Sequence, residues 1–218
     1  YKDFNILIEL FLNETIPDIR DKEIITKRLG FYDQEKWTLE KLGIEYNLTR
    51  ERIRQIEKKY LPRLKRKSKK VLNRFWFSLE IYLYTQGGCT TVEEIIQFFK
   101  KIWNWENLPE KNMIMSLVSF SNRFIIQYDY PEIISLSTHS CLDCEHLQLY
   151  LNQEFEFIKD GMLHAPDLLI EFKNSCYKNC SLRKEIIPNF NIAYLIYAFN
   201  KTEDYKIEDD IVYTLQSW

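Results

Sequence analysis

The chain has 218 residues, with 45% hydrophobic and 28% charged side chains, which is ordinary globular usage and excludes collagen-like or low-complexity scaffolds. No apolar run reaches the roughly 18 residues of a membrane span, no signal-peptide pattern follows Tyr1, and five glycines without a GxGxxG or GxxxxGK[ST] motif exclude glycine-rich phosphate loops. The formal net charge of −2 hides an asymmetry, because a strongly basic N-terminal part precedes a longer acidic part.

The first third of the chain predicts a series of helices with recognisable ends. An apolar helix covers residues 4–12, and a second helix over 18–29 ends at Gly30, which occupies a C-cap position. After a polar loop, Thr38 is a predicted N-cap for a short third helix. Asn47 lies in the tight turn that follows, and asparagine tolerates the left-handed backbone that such a turn needs.

The fourth predicted helix, which begins after Thr49, is amphipathic and strongly basic. Between Thr49 and Arg74 there are twelve Lys and Arg residues and two acids, a net charge of +10. At about 100° per residue, an apolar stripe is predicted to be buried, and it consists of Ile53, Ile56 and Tyr60. The polar face opposite consists of Arg50, Glu51, Arg54, Gln55, Lys58 and Lys59. The other side of the core is expected from Leu39, Leu42 and Leu48.

Two helices joined by a short turn, with the second helix basic on its outer side, predict a helix-turn-helix. The second helix of this motif fits the major groove of double-stranded DNA, where Arg can pair with guanine, Gln with adenine and Glu with cytosine. The remaining Arg and Lys side chains would neutralise phosphates and fix the position of the protein on the duplex. The alternative is an amphipathic surface helix whose charges are simply solvated.

Two strings of the sequence closely resemble region 4 of the bacterial primary sigma factors. They are TLEKLG at 38–43 and LTRERIRQIE at 48–57, and the resemblance extends over about residues 15–66. In that family the domain reads the −35 promoter element and docks on the β flap of RNA polymerase. The resemblance therefore implies DNA and RNA polymerase as partners, with the polymerase contact made by the apolar helices within residues 4–30.

The same resemblance implies roles for seven side chains. Base-reading positions are matched by Arg50, Glu51 and Gln55, and phosphate- or activator-facing positions by Arg52, Arg54, Lys58 and Lys59, of which Arg54 suits either role. Pro62 departs from the family, which continues its helix at this point, so we expect this helix to end or kink near Leu61. The basic run over 63–70 is predicted to be an additional phosphate-contacting segment or a linker. Since no upstream sigma domain precedes this region here, we expect a fragment, a partial homologue or a protein that has acquired the DNA-reading domain.

The predicted domain division places the helix-turn-helix domain with its basic tail in residues 1–74 and an acidic module in residues 75–218. Residues 75–136 predict three helices, the third beginning at Pro109, and two strands around Tyr130-Pro131. This is the order of a winged helix, so the predicted fold class is mainly α, followed by a winged-helix-like α+β module. Because this module is acidic, we expect it to bind a protein partner.

The extension over 137–218 contains four of the five cysteines. Two short-spaced pairs, which suit a structural zinc site, are formed by Cys141, Cys144, Cys176 and Cys180, with His139 and His146 as possible substitutes. Unliganded thiols, disulfides and an iron–sulfur cluster are the alternatives, and a cytosolic DNA-associated protein disfavours disulfides. No other cofactor is predicted.

Three functions follow from these observations. We expect a non-enzymatic, cytoplasmic and nucleoid-associated protein that binds a −35-type element, recruits RNA polymerase and has no membrane partner. The alternative is a DNA-binding subunit of a phage or defence complex that does not use RNA polymerase. A nuclease is least favoured, because Pro166 predicts a helix on which Glu171 and Lys173, the loose partners of Asp167, would point to different faces.

Overall fold

The computed structural model describes residues 4–32, 35–104, 107–128, 130–137, 162–179, 191, 193, 205–208 and 211–214. Within these ranges the chain forms eight helices and six short strands, which confirms the predicted, mainly helical fold class. The chain divides into two compact units, Tyr1–Leu79 with Val92–Phe124, and Glu80–Thr91 with Ile125–Trp218. No helix in the described ranges is both long enough and apolar enough to cross a membrane.

The first unit is built from helices. They are α1 (Phe4–Thr15), α2 (Ile19–Leu29), α3 (Leu39–Tyr46), α4 (Arg50–Val71), the first half of α5 (Asn73–Thr85), α6 (Val92–Trp103) and α7 (Lys111–Ser119). The predicted ends of α2 are confirmed, because the Asp18 side chain accepts a hydrogen bond from the Asp21 N–H at 2.8 Å and Gly30 adopts a left-handed φ of 69°. Helix α7 begins two residues after Pro109, where the sequence predicted its start.

Helix α4 passes through Pro62 and ends at Val71, so the expected helix end near Leu61 is wrong, whereas the alternative, a kink at this point, stays a prediction. A proline in a helix interior lacks an N–H donor and costs about 3 kcal/mol relative to alanine. Beyond the proline, Leu64 and Ser68 are fully buried and continue the buried stripe at helical spacing. Packing of this distal half therefore outweighs the local cost, and the basic run over 63–70 is helical and not a linker.

The core of the first unit forms where the stripe of α4 meets the other helices. Ile53, Ile56 and Tyr60 are at most 2% exposed, as predicted, and Leu42 is fully buried. Leu39 and Leu48, which the sequence placed on the same side of the core, are partly buried and lie at the two ends of the α3–turn segment. The same unit also contains a cluster of aromatic rings, in which the centroids of successive rings lie 4.6–5.4 Å apart. In order of contact, the rings belong to Phe4, Phe75, Phe99 and Trp103.

Helix α7 packs directly on α2 within this unit. The Ser116 hydroxyl donates a hydrogen bond to the Leu29 carbonyl oxygen at 2.8 Å. A side chain at Gly30 would place its Cβ 2.9 Å from the Cβ of Asn112, so both the left-handed φ and the close approach require glycine. Helices α6 and α7, which the sequence assigned to the acidic module, thus belong to the first compact unit, and the boundary near residue 74 stays a prediction.

The second unit contains two small sheets. One has the order β1-β3-β2, from β1 (Cys89–Thr91), β3 (Ile133–Leu136) and β2 (Phe124–Gln127), and Cys89 pairs with Ser135 in the antiparallel β1–β3 ladder. The other has the order β4-β6-β5, from β4 (Met162–His164), β6 (Ile211–Thr214) and β5 (Tyr205–Glu208). Helix α8 (Ala165–Asn179) follows β4, as Pro166 predicted.

Candidate nucleic-acid interface

Helices α3 and α4 form the predicted helix-turn-helix, and local contacts fix its turn. The Thr38 and Thr49 hydroxyls each accept a hydrogen bond at 3.1 Å from the backbone N–H three residues ahead, so both helices begin at the predicted N-caps. Asn47 adopts the predicted left-handed conformation, with φ of 52°. A Cβ at Gly43 would lie 2.8 Å from the Leu48 carbonyl oxygen, so the turn closes only because this residue is glycine.

The outer side of α4 carries the predicted contact residues. Because the apolar stripe faces the core, the polar positions of the same helix face solvent. All seven side chains of the set are exposed: Arg50, Glu51, Arg52, Arg54, Gln55, Lys58 and Lys59. The structure therefore brings them together on the solvent-facing surface of one helix, beginning at its first residue.

The charges on this surface form exposed networks. Arg54 makes a two-point contact with Glu51, at 2.7 Å from Nε and 2.8 Å from Nη2, and Arg52 donates to the Gln55 side-chain oxygen at 3.3 Å. The hydrogen bond from Arg54 lowers the pKa of Glu51, and the same bond raises the pKa of Arg54. Exposed pairs of this kind are weak, so a nucleic acid can exchange these partners for its own groups at little cost.

Two further contacts orient the start of α4 and its middle. Arg50 Nε lies 3.0 Å from a carboxylate oxygen of Glu40 on α3, which joins the two helices of the motif. Lys59 Nζ lies 3.7 Å from Asp21 of α2 and over the ring of Tyr60, and the contact with Tyr60 is the main cause that raises the pKa of Lys59. Lys59 is therefore partly engaged within the protein, unlike Lys58, which has no ion pair among the described residues.

One positioning pair was missed by the sequence interpretation. Arg28 of α2 donates from Nε to Glu57 of α4 at 2.5 Å and from Nη1 to the Trp37 carbonyl oxygen at 2.9 Å. The side chain of Glu57 is only 17% exposed. Arg28 thus ties α2, the segment before α3 and α4 together. The sigma resemblance implies no role for Arg28, and the 29-residue separation of the pair hid the contact from sequence reasoning.

The predicted zinc ligands are not placed by the structure. Cys141, Cys144 and Cys180 lie outside the described residues, as do His139 and His146, and Cys176 lies in α8 with its side chain outside the description. The zinc site therefore stays a prediction. No group of three or more His, Cys, Asp or Glu side chains in the described part of the chain is placed to hold a metal ion.

The residues considered for a nuclease lie on α8. Asp167, Glu171 and Lys173 all belong to this helix, so Glu171 and Lys173 are two positions apart and lie about 160° from each other around its axis. Asp167 contacts His164 at 3.2 Å, and burial lowers the pKa of Lys173. The helical placement agrees with the expectation that argued against this activity.

The fold and this surface define a helix-turn-helix domain with an exposed, mostly basic face. Residues 18–66 match the family model described as sigma-70, region 4, which confirms the resemblance drawn from the two strings. The RNA polymerase sigma factor SigA of Clostridium acetobutylicum is 45% identical over 58 residues, which are 27% of this chain and 15% of that protein. The chain thus aligns with only a small part of its relative. No solved structure matches the chain.

These matches support DNA binding of the sigma-factor type and a part in transcription. The matched family consists of non-enzymatic transcription factors, and the match is confined to the helix-turn-helix segment.

Proposed function

We propose that the protein binds double-stranded DNA sequence-specifically through α4, reads a −35-type promoter element and recruits RNA polymerase in transcription initiation or its regulation. The observation that carries the proposal is the outer side of α4. The sigma region 4 match over residues 18–66 covers α4 from its first residue to Arg66, and the seven polar contact residues of this helix are all exposed. A cytoplasmic, nucleoid-associated location follows from such a role.

In this proposal the first two turns of α4 read the bases. Arg50, Glu51 and Gln55 lie near the N-terminus of the helix, the end that reaches base edges when a helix-turn-helix occupies the major groove. The phosphate contacts come from Arg52, Arg54, Lys58 and Lys59. Arg54 would leave Glu51 to meet a phosphate or a base, which frees the Glu51 carboxylate to accept from cytosine.

A second surface of the first unit supports polymerase docking. Ile6, Leu10 and Ile19, on α1 and α2, are each more than half exposed, and Ile6 and Leu10 share one face of α1 at a spacing of four residues. This exposed apolar surface lies in the segment to which the sigma resemblance assigns the contact with the β flap. Leu10→Asp should therefore reduce co-purification with the polymerase β subunit without changing the affinity for DNA.

The promoter-reading proposal is tested by base preference. Arg50→Ala and Gln55→Ala should each cost about 1–3 kcal/mol of binding free energy on a duplex with a −35-like element and relax the preference at one base pair. Lys58→Ala should weaken binding to every duplex alike and lower the slope of log K against log salt by about one. Equal affinity of the wild-type protein for all sequences would refute the promoter reading.

The alternative function keeps the DNA contact without the polymerase. It is favoured by one observation, that the sigma match covers residues 18–66 and leaves most of the chain unmatched. In that case the protein is a DNA-binding subunit of a phage or defence complex. Sequence-specific DNA binding without polymerase co-purification would support this alternative.

For the acidic part we propose a winged-helix-like module that binds a protein partner. The chain order α5, β1, α6, α7, β2, β3 is that of a winged helix and supports this proposal, although α6 and α7 belong to the first compact unit and β1 and β3 to the second. The acidic charge of residues 75–218 makes a protein a better partner than a second stretch of DNA.

A further inference from the structure

A basic cleft lies in the first unit, beside the distal half of α4. It has a volume of about 410 Å³, and its lining includes Lys65, Lys69, Asn73, Trp76, Phe120 and Arg123. We propose that this cleft, here called the distal cleft, binds backbone phosphates of the DNA that flanks the element read by the helix-turn-helix. The inference rests on the proposed DNA binding by α4 and extends its footprint.

The position of the cleft along α4 supports this assignment. At about 100° per residue, Lys65 and Lys69 each lie within about 20° of Lys58 on the helix surface, so the cationic side continues past Pro62. At about 1.5 Å per residue, Lys69 lies about 21 Å along the axis from Gln55. The major groove is only about 12 Å wide, so the distal end of α4 reaches the phosphates that border the groove when Gln55 is inside it.

The charges of the cleft favour an anion. Lys65 and Lys69 are exposed and have no ion pair among the described residues, and none of the described residues that line the cleft is acidic. A concave surface of one charge sign with apolar walls concentrates the electrostatic potential. The walls here are Trp76 and Phe120, and the Trp76 indole N–H is already bonded to the Leu117 carbonyl oxygen at 3.1 Å.

The third cation reaches the cleft from a distant part of the sequence. Arg123 follows α7, and its Nη2 donates to the Asn73 side-chain oxygen at 3.2 Å while its backbone N–H donates to the Ser121 hydroxyl at 3.2 Å. The bond to Asn73 joins the loop after α7 to the first turn of α5, and the bond to Ser121 lies within the loop. The fold therefore brings three cations from two distant parts of the sequence to one cleft, and an extended chain of phosphates offers a separate anionic group to each of them.

The test measures salt dependence on DNA with the full chain. The probes are a mixed-sequence 30-bp duplex, of about three helical turns, and a duplex of equal length with a −35-like element. On both probes, Lys65→Ala/Lys69→Ala should lower the slope of log K against log salt by about two and Arg123→Ala by about one. Lys100→Ala/Lys101→Ala, which removes two exposed charges from α6, should leave the slope unchanged.

Two further measurements separate a phosphate contact from a loss of local structure. Arg123→Lys keeps the charge and should retain most of the slope, whereas a loss equal to that of Arg123→Ala would overturn a phosphate contact at this residue. Hydroxyl-radical footprinting should show that the wild-type protein protects flanking sugars and that the double variant loses this protection. Far-UV circular dichroism checks that the variants remain folded.

An unchanged slope in the folded cleft variants would overturn the proposal. The proposal would also be overturned if the cleft variants lost binding to polyglutamate while their slope of log K against log salt on DNA stayed unchanged. That result would assign the cleft to an acidic protein. The mixed-sequence duplex separates this outcome from the promoter reading. If the cleft variants lower the salt slope on the mixed-sequence duplex, the cleft proposal is supported even when Arg50→Ala and Gln55→Ala leave base preference unaltered. If the cleft variants leave the slope unchanged while Arg50→Ala and Gln55→Ala relax base preference, only the cleft proposal is refuted.

Discussion

Replacement of Pro62 by alanine tests why α4 remains helical through a proline. Pro62 is exposed and lies inside a 22-residue helix. A proline in a helix interior costs about 3 kcal/mol relative to alanine, and it recovers about 0.4–1 kcal/mol by restricting the unfolded chain. We therefore expect Pro62→Ala to raise the free energy of unfolding by about 2 kcal/mol.

Thermal unfolding followed by far-UV circular dichroism measures this effect. For a chain of this size, 1 kcal/mol corresponds to about 2–4 °C, so the Tm of Pro62→Ala should rise by about 4–8 °C. Lys70→Ala is the matched control, because Lys70 is exposed on the same helix and its replacement should change stability by less than about 0.5 kcal/mol.

An unchanged or lower Tm for Pro62→Ala would refute the reasoning. Such a result would mean that the backbone geometry imposed by Pro62 is itself needed to bury Leu64 and Ser68. The proline would then stabilise the packing of the distal half of α4. Affinity for DNA gives a separate readout. A higher Tm with weaker DNA binding would show that the two halves of α4 are aligned by a bend at this position.

Two other predictions concern the positioning pair and the cysteines. Arg28→Ala should lower the free energy of unfolding, measured by urea denaturation, by about 1.5–3 kcal/mol. The reason is that the substitution removes charged hydrogen bonds and leaves the mostly buried Glu57 without its cation. A change below about 0.5 kcal/mol would contradict this role. If the four cysteines bind zinc, metal analysis of the purified protein should find one zinc ion per chain that Cys141→Ser removes, and metal-free wild-type protein would end the zinc hypothesis.

The parts of the site that were predictable from sequence depend on local chemistry. A threonine before a helix, an asparagine in a tight turn and an apolar stripe at helical spacing each act within a few residues. Thr38, Asn47 and Thr49 accordingly take their predicted conformations, and Ile53 and Tyr60 are buried as expected. The helix-turn-helix could be derived from these features alone.

The parts that could not be predicted depend on packing between distant segments. The local cost of Pro62 indicated a helix end or a kink, but the helix continues past the proline with Leu64 buried. The contact of Arg28 with Glu57 crosses 29 residues, and the approach of Arg123 to Asn73 crosses 50. No periodicity in the sequence reports such separations.

The packing of α7 on α2 has a consequence for which fragments of the protein can fold stably. A fragment cut near residue 74 would contain the complete sigma-like segment, yet it would leave the Leu29 carbonyl without the Ser116 hydroxyl and Gly30 without its neighbour Asn112. We expect such a fragment to be less stable than the full chain. A piece that keeps both contacts must extend past Ser116, and the first compact unit ends at Phe124, so we expect the sigma-like segment to need α7 for its full stability.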